Sequence, residues 1–120
     1  MPVWRPRSAK EQPVIELRNW SVYEINFNSG PSRHLIGRIG YENEGRVSSP
    51  IIKFNRRHMF AKTRSGRKYK LVGPSNFDSQ GSYVFANWKY INNITNDKIK
   101  DVSVEYEKKS NRPGAGLLAG

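Results

Sequence analysis

Ile15, Leu17, Tyr23, Ile25 and Phe27 all fall on odd-numbered positions, and this period of two constrains the fold more than any other feature of the chain. Tyr23, Ile25 and Phe27 alternate with polar neighbours, and Ile15 and Leu17 keep the same parity upstream. Successive side chains of a strand point to opposite faces, so the pattern predicts one long or broken strand over about 14–27 with one face buried. Asn28-Ser29-Gly30-Pro31-Ser32 supplies a turn, and His34 to Tyr41 then reads as the return strand of a hairpin. Glu42 to Ser49 reads as loop. Pro50-Ile51-Ile52-Lys53-Phe54 opens a third strand, which Asn55-Arg56-Arg57-His58 ends. Met59 to Arg64 and Arg67 to Val72 form a further hairpin around Ser65-Gly66, because glycine supplies the positive φ of a two-residue loop.

After the turn signal Gly73-Pro74-Ser75-Asn76 the period changes. Val84, Trp88 and Ile91 fall at i, i+4 and i+7 with Phe85 beside them, which predicts a helix over about 79–92 with Asp78, Ser79 or Ser82 as N-cap. Lys98 to Glu107 reads as a last strand carrying Ile99, Val102, Val104 and Tyr106. The order is βββββαβ. It predicts an α+β, β-rich fold: a curled antiparallel sheet or small open barrel with one packed helix. Residues 14–107 form the globular domain, preceded by an extended basic arm (1–13, with three prolines) and followed by a tail (108–120) punctuated by Gly and Pro.

A chain of 120 residues can bury a core without staples, and it has no cysteine to make them. That excludes a disulfide framework and any thiolate metal site. Two histidines are too few for an all-histidine site, and no spacing supports a mixed site with carboxylates, which stays open in principle; no metal and no cofactor are expected. No window approaches the ~20 apolar residues of a membrane span. Arg5 and Arg7 are followed by no apolar stretch, so no secretory signal is read and a cytoplasmic location is the expectation. Asn19-Trp20-Ser21 and Asn93-Ile94-Thr95 match the glycosylation triplet by spelling only.

The net charge is +11, and its distribution matters more than its sum. From Gly45 to Phe77 there are nine basic residues and no acidic one: Arg46, Lys53, Arg56, Arg57, Lys62, Arg64, Arg67, Lys68 and Lys70. Like charges so close repel unless an anion relieves them, which predicts a polyanionic partner: nucleic acid, or a nucleoprotein or acidic protein surface. With Ser65-Gly66 as the loop, Arg64 pairs with Arg67, Lys62 with Tyr69 and Phe60 with Leu71. Phe60, Tyr69 and Leu71 then share a face that packs on the core, while Lys62, Arg64 and Arg67 continue it towards the tip. Such a ribbon suits a groove or a phosphate backbone. Lys53, Arg56, Arg57, Lys62, Arg64, Arg67, Lys68 and Lys70 are therefore the expected nucleic-acid-binding residues of a non-enzymatic protein.

Among fourteen aromatic residues, Trp20, Phe60, Phe85 and Trp88 sit on apolar parities and read as core. Trp4, Tyr41 and Tyr90 are the candidates for base stacking. An RNase toxin would need a general base, a general acid and a cation, for which His34 or His58 with Tyr69, Thr63 or Arg64 are the available groups. No second acid–base partner stands at a telling spacing, so no catalytic residue is assigned.

The run Gly45-Arg46-Val47-Ser48-Ser49-Pro50-Ile51, the run Thr63-Arg64-Ser65-Gly66-Arg67-Lys68-Tyr69-Lys70-Leu71-Val72-Gly73, and then Tyr83 and Trp88, resemble a pattern in small proteins of bacterial genomes and their mobile elements. Those proteins bring no settled activity, so no functional residue is carried over. The resemblance implies a bacterial or phage accessory protein. It adds a rival function, inhibition of a host defence nucleoprotein in the manner of an anti-CRISPR.

Overall fold

The computed structural model describes residues 14–39 and 44–107. Seven strands form one open sheet: β1 (Val14–Phe27), β2 (Gly30–Ile39), β3 (Gly45–Val47), β4 (Ile51–Asn55), β5 (Phe60–Thr63), β6 (Lys68–Val72) and β7 (Ile99–Asp101). One helix, α1 (Ser79–Ile91), packs on it, and 3-10 turns cover Asn96–Lys98 and Ser103–Tyr106. The sheet order is β3-β2-β1-β6-β5-β4, with β7 also on β1. The α+β class, the single helix and the open, strand-rich sheet agree with the sequence reading. The arm 1–13, the tail 108–120, Trp4 and Tyr41 lie outside the described residues.

The long alternating segment is a single strand, but its two halves do not share a buried face. Between Arg18 and Ser21 the pairing with β2 slips by a residue, and Asn19 takes a positive φ of 46° there. One extra residue reverses the parity of everything after it. Ile15, Leu17, Trp20 and Val22 therefore enter one core, together with Leu35, Ile39, Met59, Ala61, Tyr69, Leu71 and Val102. Tyr23, Ile25 and Phe27 enter another, under the helix, with Ile36, Phe85 and Trp88. The bulge buries Trp20 completely, and its indole N–H donates to the Gly73 carbonyl at 2.9 Å.

The first core fills the concave side of the sheet. β2 and β4 are four steps apart in the order, about 19 Å in a flat sheet, yet their Cα atoms approach within 8 Å. Curling is what brings them together. Arg46 of β3 is buried on this concave side, paired with Glu44 and 3.5 Å from the Tyr69 hydroxyl of β6.

β1 is the axis of the sheet. One edge pairs with β2, and the other is shared by β6, parallel at Val14–Arg18, and β7, antiparallel at Tyr23–Ile25. The parallel ladder departs from the expected all-antiparallel arrangement. It arises because β6 arrives from β5, not directly from β1, so no hairpin dictates its direction. β3 lies within the expected loop 42–49: three residues pair with β2, and Ser48 extends the contact by donating its N–H to the Leu35 carbonyl at 2.8 Å. Lys98 to Glu107 is only briefly a strand; Val102 is buried, and the chain then coils into a 3-10 turn that leaves Val104 exposed.

Asp78 caps α1 by accepting from the Gly81 N–H at 2.8 Å. The buried stripe is Gly81–Phe85, with Trp88 half-buried, and Ile91 is 75% exposed, so the packed face lies one step round from Val84–Trp88–Ile91. The helix start sits backbone-to-backbone on the sheet. A Cβ on Gly45 would lie 2.2 Å from the Gln80 carbonyl oxygen, and one on Gly81 about 3.0 Å from that of Gly37. Without glycine there, the helix could not cover this end of the sheet.

Candidate nucleic-acid interface

The hairpin thought to carry the charge has a different register from the one read in the sequence. Lys62 pairs with Lys68, Ala61 with Tyr69 and Phe60 with Lys70. The loop has three residues, Arg64–Gly66: the Thr63 carbonyl accepts from the Gly66 N–H, Thr63 N–H donates to the Arg67 carbonyl, and Gly66 has φ of 92°. One residue more in the loop shifts the ladder by one and turns each side chain of one strand to the other face. Ala61, Thr63, Tyr69 and Leu71 are buried on the concave side. Phe60, assigned to the core from its sequence, instead faces outward with Lys62, Lys68 and Lys70.

The neighbouring strands complete a surface. Lys53 of β4 pairs with Lys62, so Lys53, Lys62 and Lys68 form a row across three adjacent strands. The next row is Asn55, Phe60 and Lys70, and parallel pairing places Val14 beside Lys68 and Glu16 beside Lys70. Arg18, exposed two positions on from Glu16, lies beside Val72. This is the convex side of the sheet. Its other half, over the C-terminal part of β1 and over β2 and β3, is closed by α1; among the described residues no element covers the half over β4–β6, which is bare of them.

Lys53, Lys62 and Lys68 are exposed, and among the described residues no carboxylate forms an ion pair with them. Lys70 is more ordered: its ammonium donates to the His58 carbonyl at 2.7 Å and lies 5.0 Å from the Phe60 ring centroid. A cleft of about 830 Å³ opens here, lined by Lys53, Asn55, Arg56, Phe60, Lys62 and Lys68, among others.

The remaining expected residues are distributed around this face. Arg56 and Arg57 are exposed in the β4–β5 turn, where the Arg56 guanidinium donates to the Glu105 carbonyl. Arg64 is exposed in the loop but directed away from the lysine row, lining a second cleft of about 390 Å³ with Phe27, Ser32, His34 and Pro50. Arg67 is half-buried and shares the parity of Tyr69 and Leu71. The loop itself is tied down: Arg64 N–H donates to the Pro50 carbonyl at 2.9 Å and Ser65 N–H to the Ser49 hydroxyl at 3.1 Å. The hairpin tip is thus part of the body of the domain. The sequence reading missed Phe60 and Arg18 as members of the surface; for Phe60 the parity it shares with Lys62 on one strand was the available signal, and for Arg18 there was none.

The groups named for RNA cleavage are not assembled. His58 is exposed in its turn, whereas Thr63 and Tyr69 are buried on the concave side. His34 is buried, 3% exposed, not an open residue at a strand start. Its Nδ1 is 2.8 Å from the Ser48 carbonyl, which can only accept, so Nδ1 carries the proton and Nε2 accepts from the Ser32 hydroxyl at 2.7 Å. Burial, chiefly, and the Arg64 charge hold His34 below its ordinary pKa, against the opposing effect of the Ser48 bond. Arg64 is the one cation of that set to share a cleft with His34. Tyr90, a stacking candidate, stands 84% exposed on α1, over the other half of the sheet.

No helix among the described residues is long and apolar enough to cross a membrane. No protein-family model, curated protein or solved structure matches the chain.

Proposed function

We propose that this chain is a non-enzymatic nucleic-acid-binding protein and that the polyanion lies on the bare convex face of β4, β5 and β6. The observation that carries the reading is the row Lys53–Lys62–Lys68. Like charges placed directly opposite one another across strands destabilise a sheet, so three in succession, without a carboxylate partner among the described residues, are a cost that a bound polyanion removes. Lys70, Arg56, Arg57 and Arg18 extend the positive surface around the row.

The test is a salt titration of binding to labelled oligonucleotides. If four lysines each meet a phosphate, log K falls with log salt at a slope of about −3.6 on duplex and about −2.8 on single strands. Replacing Lys53, Lys62 and Lys68 together with glutamine flattens the slope by about two to three units. Affinity that is independent of salt overturns the reading.

A second reading has its own observation. Tyr83, Tyr90 and Ile91 are 68%, 84% and 75% exposed on the outer side of α1, with Phe77 68% exposed before it. Exposed aromatic groups of this kind mark protein contacts, which favours the inhibitor of a host nucleoprotein suggested by the resemblance. Retention of one stoichiometric partner after nuclease treatment, lost on replacing Tyr83 and Tyr90 with serine, supports it; loss of every partner with nuclease refutes it.

A further inference from the structure

Resting on the nucleic-acid reading above, we infer that the ligand of the bare face is a single strand, with an unpaired base stacked on Phe60. Three observations converge on this. The first is width. A two-stranded ribbon fits the ~12 Å major groove of duplex DNA. Here β1, β6, β5 and β4 lie side by side, which places the outer backbones about 14 Å apart before side chains are counted. The surface is a platform, too broad to enter the groove.

The second is the hairpin tip. A probing ribbon needs a free end, and this one is held by the Arg64–Pro50 and Ser65–Ser49 hydrogen bonds. Arg64, which should lead the insertion, turns instead towards the cleft beside His34.

The third is Phe60. A half-buried phenyl ring stands in the middle of a lysine field, between Asn55 and Lys70 and one row from Lys53, Lys62 and Lys68. Duplexes present base edges in their grooves and keep base faces stacked inside; only an unpaired base offers a face to such a ring. Phe60 lines the open cleft together with Lys53, Lys62 and Lys68, so the ring and the cations face the same space. The lysines supply the sequence-independent grip on the backbone, and the ring supplies stacking that any base satisfies. Lys70, fixed by the His58 carbonyl, holds its ammonium over the ring and limits the orientations available to it.

Fluorescence anisotropy on a labelled single strand and on the same strand annealed to its complement tests this, with wild type, Phe60→Leu and Phe60→Tyr. Single strands should bind at least tenfold tighter than the duplex. Phe60→Leu, at an outward-facing position, should keep the fold and lose about 5- to 150-fold on the single strand, while duplex binding stays the same. Phe60→Tyr should retain binding. Equal or tighter duplex binding, or a Phe60→Leu variant that binds single strands like wild type, overturns the single-strand assignment and leaves the nucleic-acid reading standing. Binding of neither probe at 50 mM salt by folded protein overturns both.

Discussion

Replacing Lys62 with glutamine should make the protein more stable and a weaker binder at once. Lys62 sits between Lys53 and Lys68, its direct partners on either side. With the ammonium groups splayed to about 7 Å in a water-like dielectric, each pair repels by about 0.6 kcal/mol. The two pairs together cost about 1.2 kcal/mol, which screening over a ~10 Å Debye length at 0.1 M salt cuts to roughly half. Glutamine removes the charge while keeping a flexible, polar, hydrogen-bonding side chain only one bond shorter than lysine. For a domain of this size a gain of about 0.6 kcal/mol raises Tm by roughly 2–5 °C. The assay is thermal unfolding followed by circular dichroism at 0.1 M and 1 M salt. The gain should nearly vanish at 1 M, where the Debye length is only ~3 Å. Nucleic-acid affinity should fall, with one phosphate contact fewer in the salt slope. An unchanged or lowered Tm at 0.1 M, or a gain that persists at 1 M, would refute the electrostatic origin of the row.

Three further outcomes follow from the packing. Because His34 is buried neutral with its pKa below the ordinary 6.5, the unfolded chain binds the extra proton first. Its contribution is complete above about pH 6.5 and is lost as the pH falls through the folded value; urea midpoints between pH 7.5 and 5 should decline in wild type and less in His34→Gln. Burial raises the Asp78 carboxyl, but the Gly81 N–H, Asn19 and Arg38 outweigh it and hold it below the ordinary 3.8, so its contribution is present above that value and is lost only at lower pH. Asp78→Ala should lose about 1–2 kcal/mol in denaturant titrations from the missing cap, and Asp78→Asn should recover part of it; equal losses would mean that the charge alone matters. Gly45→Ala should destabilise by ~1–3 kcal/mol or more, because the new Cβ meets backbone at Gln80 that no rotamer change can relieve; a silent substitution would show that the helix start can lift from the sheet.

How much of this was legible in the sequence follows from how local each signal is. The strand over 14–27, the helix with its Asp78 cap and the charge imbalance of residues 45–77 rest on short-range patterns, and they hold. The two failures of parity are single-residue events. The only marks of the bulge are the switch of apolar parity from Ile15 and Leu17 to Trp20 and Val22 and an asparagine, a residue type that tolerates positive φ, between them; that residue decides which core receives Tyr23, Ile25 and Phe27. Likewise, Ser65-Gly66 fits a two-residue loop as well as the end of a three-residue one. Choosing the second turns Phe60 from core to surface and gathers Lys62, Lys68 and Lys70 on one face. The parallel contact of β1 with β6 is non-local and carries no sequence mark, so the place of Val14, Glu16 and Arg18 on the convex face could not be read. Arg46 belongs to the basic run by sequence and to the concave interior by structure.

The central position of β1 also sets the order of events when the chain is made. β1 can pair with β2 as soon as the adjoining hairpin closes, but Val14 meets Lys68 only after 54 more residues, and Tyr23 meets Asp101 only after 78. At ~5–20 residues per second, a ribosome takes roughly 3–11 s to supply β6 and longer to supply β7. Throughout that interval the second edge of a fourteen-residue strand carries unpaired amides beside Ile15, Leu17 and Val22. Nascent chains are thus most open to edge pairing with one another before Lys68 emerges, and the charge that gathers between Arg46 and Lys70 arrives over the same stretch of synthesis, supplying repulsion between chains when that edge is bare.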